Sequence, residues 1–290
     1  MINFLDSLAK LNVNRNGTTI SLHKPLLLLL LISEVKKGNE NRFAYTDIEP
    51  RLKRLLQNFG LKNTKTFNPH LPFIHLASDD NLWTIEGPRI AASGSKPANR
   101  SDIKDAFGYL STDFFEFLQN SSNTTAAISG LLIKYWTEAY HADILSELGL
   151  DDITAQSALT SVEKSKRSKA FVDHVMDAYE RKCAICHQSI RLGDALIGID
   201  ACHVRPIQHN GDDNITNGIA LCKIHHWALD RGAIALTNDL TLQVSSKLNG
   251  HKTDDYFFQF DGKEIFTPRN ASFHLHELNT SYHRKYIFAG

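Results

Sequence analysis

The stretch CAICHQSIRLGDALIGIDACHVRPIQHNGDDNITNGIALCKIHHWALDRG, running from Cys183 to Gly232, decides how the second half of this 290-residue chain folds. It opens on Cys183-x2-Cys186 and nears its end on Cys222-x2-His225. Two ligands two residues apart form a tight knuckle around one ion. A second pair, after 35 intervening residues, completes a tetrahedral sulfur and nitrogen set suited to Zn2+. Cys183, Cys186 and Cys222 would bind as thiolates and His225 through a neutral imidazole. Protein then fills every position, so the site is structural, and in so short a region the ion contributes folding free energy directly. The competing reading is buried thiols or a disulfide. The chain has four cysteines, and its start, MINFLDSLAK, carries no secretory signal, which disfavours oxidised pairing.

Inside that staple, ALIGIDACHV reads as a strand ending near His203, and DDNITNG as a polar turn holding Asn217. GIALC is a second apolar run, and His226 opens a helical HHWALDRG. The order His203, Asn217, His226 between two clips resembles the HNH nuclease motif. That motif is a strand–loop–strand–helix unit that hydrolyses phosphodiester bonds with one divalent metal. The resemblance implies His203 as general base on water and Asn217 as the residue that orients the loop and the base. It implies His226 as ligand to a catalytic Mg2+ or Mn2+. Asp230 lies four residues after His226, on the same helix face, and is a candidate second ligand or orienting group. Many relatives carry Asp or His directly before the base, where this chain has Cys202. The carboxylate here falls three residues before the base, at Asp200, a further candidate ligand. Cys202 also competes for a place in the zinc set.

Outside this stretch the composition is that of a globular protein, with 42% apolar and 22% charged residues. The length suggests two domains. LLLLLLI at Leu26–Ile32 is too short to span a bilayer and reads as a buried helix. With no signal peptide and no membrane span, a cytoplasmic location is expected. The net charge is zero but unevenly spread. Residues 1–110 carry 15 Lys/Arg against 10 Asp/Glu, and residues 111–160 carry 1 against 7. The basic surplus sits where a phosphate backbone would lie.

The N-terminal half reads as mixed α/β. HKPLLLLLLISEVKKG is a helix with Pro25 in its first turn and Gly38 past its end. YTDIEPRLKRLLQNFG is another. PFIHLASDDNLWTIEG reads as a hairpin of FIHL and LWTI about a turn at Ser78-Asp79-Asp80-Asn81. Residues 111–150 look helical, with Trp136 and Tyr140 as core aromatics. A polar stretch follows, then a helix from residue 169, and past Gly232 AIALT and LTLQVS form a second hairpin.

HKPLLLLLLI, a helix ending LLQNFG, then NPHLPFIHL and NLWTIEG together resemble the sulfur-binding domain of phosphorothioate-dependent type IV restriction endonucleases. The likeness covers roughly residues 10–90. In that family the domain precedes an HNH nuclease, as it does here. A thio-substituted phosphate stays anionic, but its sulfur is large and poorly hydrated, so a shallow apolar dimple prefers it to oxygen. The resemblance places the dimple on Leu71, Pro72, Phe73 and His75. Leu71 stands where relatives can carry Tyr, and His75 where some carry a small residue. It also implies that His23 and Lys24 grip flanking phosphates, with Lys24 a point charge where some relatives have Arg.

The fold class expected is α+β, in three parts. Residues 1–150 form a mixed helical and hairpin domain that binds the DNA modification, and 151–168 a linker. Residues 169–290 form a zinc-stapled ββα-metal (HNH) endonuclease domain. The expected activity is cleavage of double-stranded, phosphorothioated DNA. Cutting both strands needs two sites, so a homodimer is expected. Two alternatives stand beside this. One is an HNH enzyme reading methylated or hydroxymethylated cytosine, which would need an aromatic cage for a flipped base. The other is a non-catalytic DNA-binding protein stabilised by zinc.

Overall fold

Leu26 to Ile32 retain at most 1% of their surface exposed. A helix that is apolar all round must be enclosed on every side. Helix His23–Lys36 is that element, and the rest of the first unit is built around it. The computed structural model describes residues 4–16, 19–62, 67–79, 82–87, 100–153 and 169–290. They form two units, Met1–Glu163 and Lys164–Gly290. Most of the expected linker, residues 154–168, lies outside the described residues.

In the first unit, helix Tyr45–Phe59 packs on the leucine helix through Ile48, Leu52, Leu55, Leu56 and Phe59, which recur at helical spacing. Helices Thr112–Leu118, Ser121–Tyr135 and Glu138–Leu148 complete the shell. Trp136 is buried and Tyr140 packs partly against the same core, as expected of them. A three-stranded antiparallel sheet has Phe107–Leu110 at its centre, flanked by Phe43–Ala44 and Trp83–Glu86. Gly108 is required there, because a Cβ would lie 1.8 Å from the Trp83 ring.

The sheet corrects the expected hairpin. Strand Trp83–Glu86 pairs with Phe107–Leu110, and the FIHL segment belongs to a short helix, His70–His75. Asp80 and Asn81 of the expected turn lie outside the described residues. The reason is the prolines. Pro69 takes helical angles (φ −59°, ψ −26°) at the N-cap, and Pro72 falls in the first turn, where no amide hydrogen is needed. Pro72 and Phe73 turn inward while Leu71 and His75, four apart, face out. Phe73 packs edge-on against Tyr45 and Trp83, and its carbonyl accepts the Trp83 indole N–H at 2.8 Å.

In the second unit, helix Lys169–Ala178 leads to the Cys183–Cys186 knuckle and an exposed hairpin, Ile190–Leu192 with Ala195–Ile197. Strand Ile199–His203 then pairs antiparallel with Gly218–Cys222, His203 opposite Gly218 and Ile199 opposite Cys222. Helix Lys223–Asp230 follows directly, which completes a ββα unit. The expected hairpin past Gly232 forms from Ile234–Leu236 and Leu242–Val244. The C-terminal helix Glu277–Tyr286 packs on it. Among the described residues, no helix is long and apolar enough to cross a membrane.

Candidate functional site

Cys183 and Cys186 sit in a turn after the first helix of this unit, Cys222 ends the second ββα strand, and His225 lies in the first turn of the following helix. The fold brings their ligand atoms within 4.8 Å of one another. Cys186 Sγ lies 4.0 Å from Cys222 Sγ, and His225 Nδ1 lies 3.4 Å from Cys183 Sγ and 3.2 Å from Cys222 Sγ. Thiolates around one tetrahedral ion sit roughly 3.8 Å apart, so the spacing fits a metal. His225 Nε2 donates to the Tyr256 carbonyl at 2.8 Å, which fixes the tautomer and leaves Nδ1 as the ligating nitrogen. Hydrogen bonds from Cys186 and Cys222 hold the Cys183 thiol far below its ordinary range. Cys202 does not join the group, and its Sγ bonds the Asp200 carbonyl instead.

The same helix presents His226. Its Nδ1 lies 2.8 Å from Asp200 Oδ2, and its Nε2 lies 3.6 Å from Asp230 Oδ2. Lys223 closes on Asp200 at 2.8 Å. Burial pushes the Asp200 carboxyl up, but the bonds from His226 and Lys223 outweigh it and hold the group at about 2. A neutral imidazole has one N–H. With that hydrogen donated to Asp200, Nε2 carries the lone pair, on the side of Asp230. Asp200 and Asp230 thus flank opposite nitrogens of one ring. Among the described residues, no second set of three ligating side chains is as close as the cysteine group.

His203 ends its strand nearly buried and lies face to face with the Phe171 ring, centroids 4.2 Å apart and planes 2° apart. Its Nε2 lies 2.8 Å from Asp213 Oδ1. Asn217 is fully buried and clamps the loop between the two strands. Its Oδ1 accepts from Arg205 N at 2.8 Å, and its Nδ2 donates to the Arg205 and Asp212 carbonyls at 3.0 Å. Asp213 and Phe171 were not anticipated from the sequence. The only trace of Asp213 there is its place in DDNITNG.

The first unit places its candidates differently. His23 begins the leucine helix, half-buried, with Nδ1 2.9 Å from Ser21 Oγ. Burial lowers its pKa, so near neutral pH it is an uncharged hydrogen-bonding ring. Lys24, the other residue of the expected phosphate grip, is engaged within the unit. It is buried, and its ammonium pairs with Asp79 at 2.5 Å and donates to Ser78 Oγ at 3.1 Å. A lysine entering a core must find a carboxylate, and this one does. Phe73 is likewise a core residue, with no exposed surface. Pro72 is buried, while Leu71 keeps 37% of its surface and His75 is exposed. Leu71 is therefore the most exposed apolar side chain of helix His70–His75, with Ile74 half-buried.

These two units have counterparts among known families. A model of the ScoMcrA-like DNA sulfur-binding domain matches residues 2–153, and a model of an HNH endonuclease matches residues 183–237. A DNA sulfur-reading domain joined to a DNA-cutting domain is the composition of a modification-dependent, type IV restriction endonuclease. The first match spans more than half the chain, and the chain belongs to the family of proteins with a ScoMcrA-like DNA sulfur-binding domain. Similar solved structures include the sulfur-binding domain of SprMcrA complexed with phosphorothioated DNA. It is 24% identical over 52% of this chain and 94% of that one, with a TM-score of 0.44. The corresponding ScoMcrA domain is 21% identical over 53% of this chain and 99% of that one, with a TM-score of 0.45. The modification-dependent TagI restriction endonuclease is 25% identical over 44% of this chain and 41% of that one, with a TM-score of 0.32. No curated protein matches the chain.

Proposed function

We propose that this protein binds phosphorothioated double-stranded DNA through its first unit and cuts the backbone with its second. The observation that carries the reading is the ββα unit itself. It sets His203, Asn217 and His226 on a strand end, a loop clamp and a helix, beside a closed Cys3His set.

The Cys183, Cys186, Cys222 and His225 group suits Zn2+ in a structural role, because three thiolates and an imidazole leave no position open. His226, through Nε2, and Asp230 would hold the catalytic Mg2+ or Mn2+. Asp200, hydrogen-bonded to Nδ1, would orient the ring from behind. When bound, the divalent ion stabilises negative charge on the phosphate and the leaving oxygen. His203 takes a proton from the attacking water. Phe171 and the buried setting hold its ring in one plane, and Asn217 fixes the loop that approaches it. In the first unit, Leu71 supplies exposed apolar area for the sulfur, with Pro72 beside it, and His23 donates a neutral hydrogen bond to a neighbouring phosphate. Double-strand cutting requires two such sites, and a homodimer supplies them.

A plasmid-cleavage assay with Mg2+ or Mn2+ tests the reading. Phosphorothioated plasmid is cut, unmodified plasmid is spared, and His203→Ala abolishes cutting while the protein still binds the modified DNA. Equal cutting of both plasmids would contradict the sulfur-reading half. Cutting by His203→Ala at the wild-type rate would contradict the base.

A further inference from the structure

The loop after His203 carries a carboxylate that lies outside the His, Asn, His series. Asp213 Oδ1 sits 2.8 Å from His203 Nε2. The imidazole side chain is only 6% exposed, whereas the carboxylate is 37% exposed. The contact is a product of loop closure. Asn217 Nδ2 holds the carbonyl of Asp212, the residue immediately before Asp213, and both backbone groups of Arg205 are bonded to the same amide. Gly211 allows the chain to pass: a Cβ there would lie 1.9 Å from the Arg205 carbonyl oxygen. Phe171 covers one face of the His203 ring and restricts its rotation out of reach of Asp213.

A carboxylate only accepts hydrogen bonds, so Nε2 must carry the hydrogen of the neutral ring. Nδ1 is then the nitrogen without one. We infer that Asp213 is a positioning residue for the nuclease reaction: it selects the His203 tautomer whose Nδ1 is the base, and stabilises the imidazolium that forms. This rests on the nuclease reading above. In the step, a water O–H bond breaks and its proton goes to Nδ1. The hydroxide oxygen forms a bond to phosphorus, and the bond from phosphorus to the leaving oxygen breaks. That oxygen keeps the electron pair and takes a proton from solvent. The arrangement is the logic of an aspartate behind a catalytic histidine, in which the carboxylate stays ionised throughout.

Two readouts test it on the full-length protein. The first is the ring 15N shifts of His203, read without turnover. Wild type shows the Nε2–H tautomer, and Asp213→Asn, which can offer an N–H to Nε2, shifts the ring toward Nδ1–H. The second is single-turnover cleavage of phosphorothioated plasmid. Asp213→Ala and Asp213→Asn lower the rate by about 100-fold. The Kd for modified DNA and the Mg2+ or Mn2+ concentration at half-maximal rate stay unchanged, and Asp213→Glu recovers part of the loss. A wild-type tautomer in Asp213→Asn would overturn the inference. So would a wild-type cleavage rate in Asp213→Ala while His203→Ala is dead, and that result would leave the nuclease reading standing. A changed metal requirement in Asp213→Ala would make Asp213 a ligand and overturn it too. Activity in His203→Ala would instead sink the base assignment on which the inference depends.

Discussion

Asn217 stands between two strands that must be held a fixed distance apart at their loop end. Its buried amide satisfies an N–H and a carbonyl of Arg205 and a carbonyl of Asp212. Asn217→Ala strands these groups, at a cost of about 1–3 kcal/mol for each left buried without a partner. The expected outcome is a lower denaturation midpoint together with a loss of cleavage. Asn217→Asp replaces the Nδ2 donor with an acceptor facing two carbonyls, and is expected to be no better. His226 is held between two carboxylates. With Asp200 on Nδ1 and Asp230 beside Nε2, Asp230→Ala removes the proposed ligand and Asp200→Ala the proposed support. Both weaken catalytic-metal binding, Asp230→Ala the more. Outer-shell losses run to roughly 10- to 100-fold, so isothermal titration with Mn2+ separates the two. The two clips were legible from spacing, and the places of His203, Asn217 and His226 from the likeness to the HNH motif. They lie within one stretch, and strand Ile199–His203, strand Gly218–Cys222 and helix Lys223–Asp230 carry most of them. Asp213 was not legible, because its contact depends on how a loop closes. The pairing of Lys24 with Asp79 was not legible either, because the two stand 55 residues apart.

At the scale of elements, contacts at both ends fix helix Lys223–Asp230 of the second unit. The Cys183, Cys186, Cys222 and His225 group ties the knuckle to the start of helix Lys223–Asp230. A strong chelator is therefore expected to melt this unit while leaving the leucine-helix unit folded. Two separated thermal transitions, of which only one moves with chelation, would show it, and one zinc per chain by elemental analysis is the matching count. The other end of the same helix is held by His283, whose Nε2 donates to the Leu229 carbonyl at 2.8 Å. Burial pushes that imidazole down to about 4. The unfolded chain would titrate near 6.5, so between these values the unfolded state binds the extra proton. Stability is then full above pH 6.5 and falls as the pH drops, by roughly 3 kcal/mol at pH 4. His283→Gln keeps a donor without the titration, and is expected to flatten the acid limb of Tm against pH. The misread element teaches the limit of pattern. FIHL has too few residues to distinguish a period of two from one of 3.6, and Pro69 and Pro72 decide for helix only once the first turn is recognised. The leucine helix, by contrast, could be read directly, since a run apolar on every side has to be enclosed.

For the whole molecule, the division of labour is between a unit that reads sulfur and a unit that cuts. The zero net charge is consistent with this, because the basic surplus lies in residues 1–110. The order of the two domains was legible from short motifs, but which side chains of the segment from Leu71 to His75 reach the surface was not. Phe73 is core and Leu71 the most exposed apolar residue, because the segment is a helix and not a strand. Leu71→Asp is therefore expected to weaken binding to phosphorothioated duplex by at least tenfold, read by fluorescence anisotropy, without changing the stability of either unit. The most direct trial of the coupling between reading and cutting is one cleavage assay on a single plasmid, prepared with and without phosphorothioate links. Wild type, His203→Ala and Leu71→Asp are compared in Mg2+ or Mn2+. Wild type is expected to cut the modified plasmid alone, His203→Ala to bind it without cutting, and Leu71→Asp to fail at both. Cutting of both plasmids at one rate by wild type and Leu71→Asp alike would contradict it.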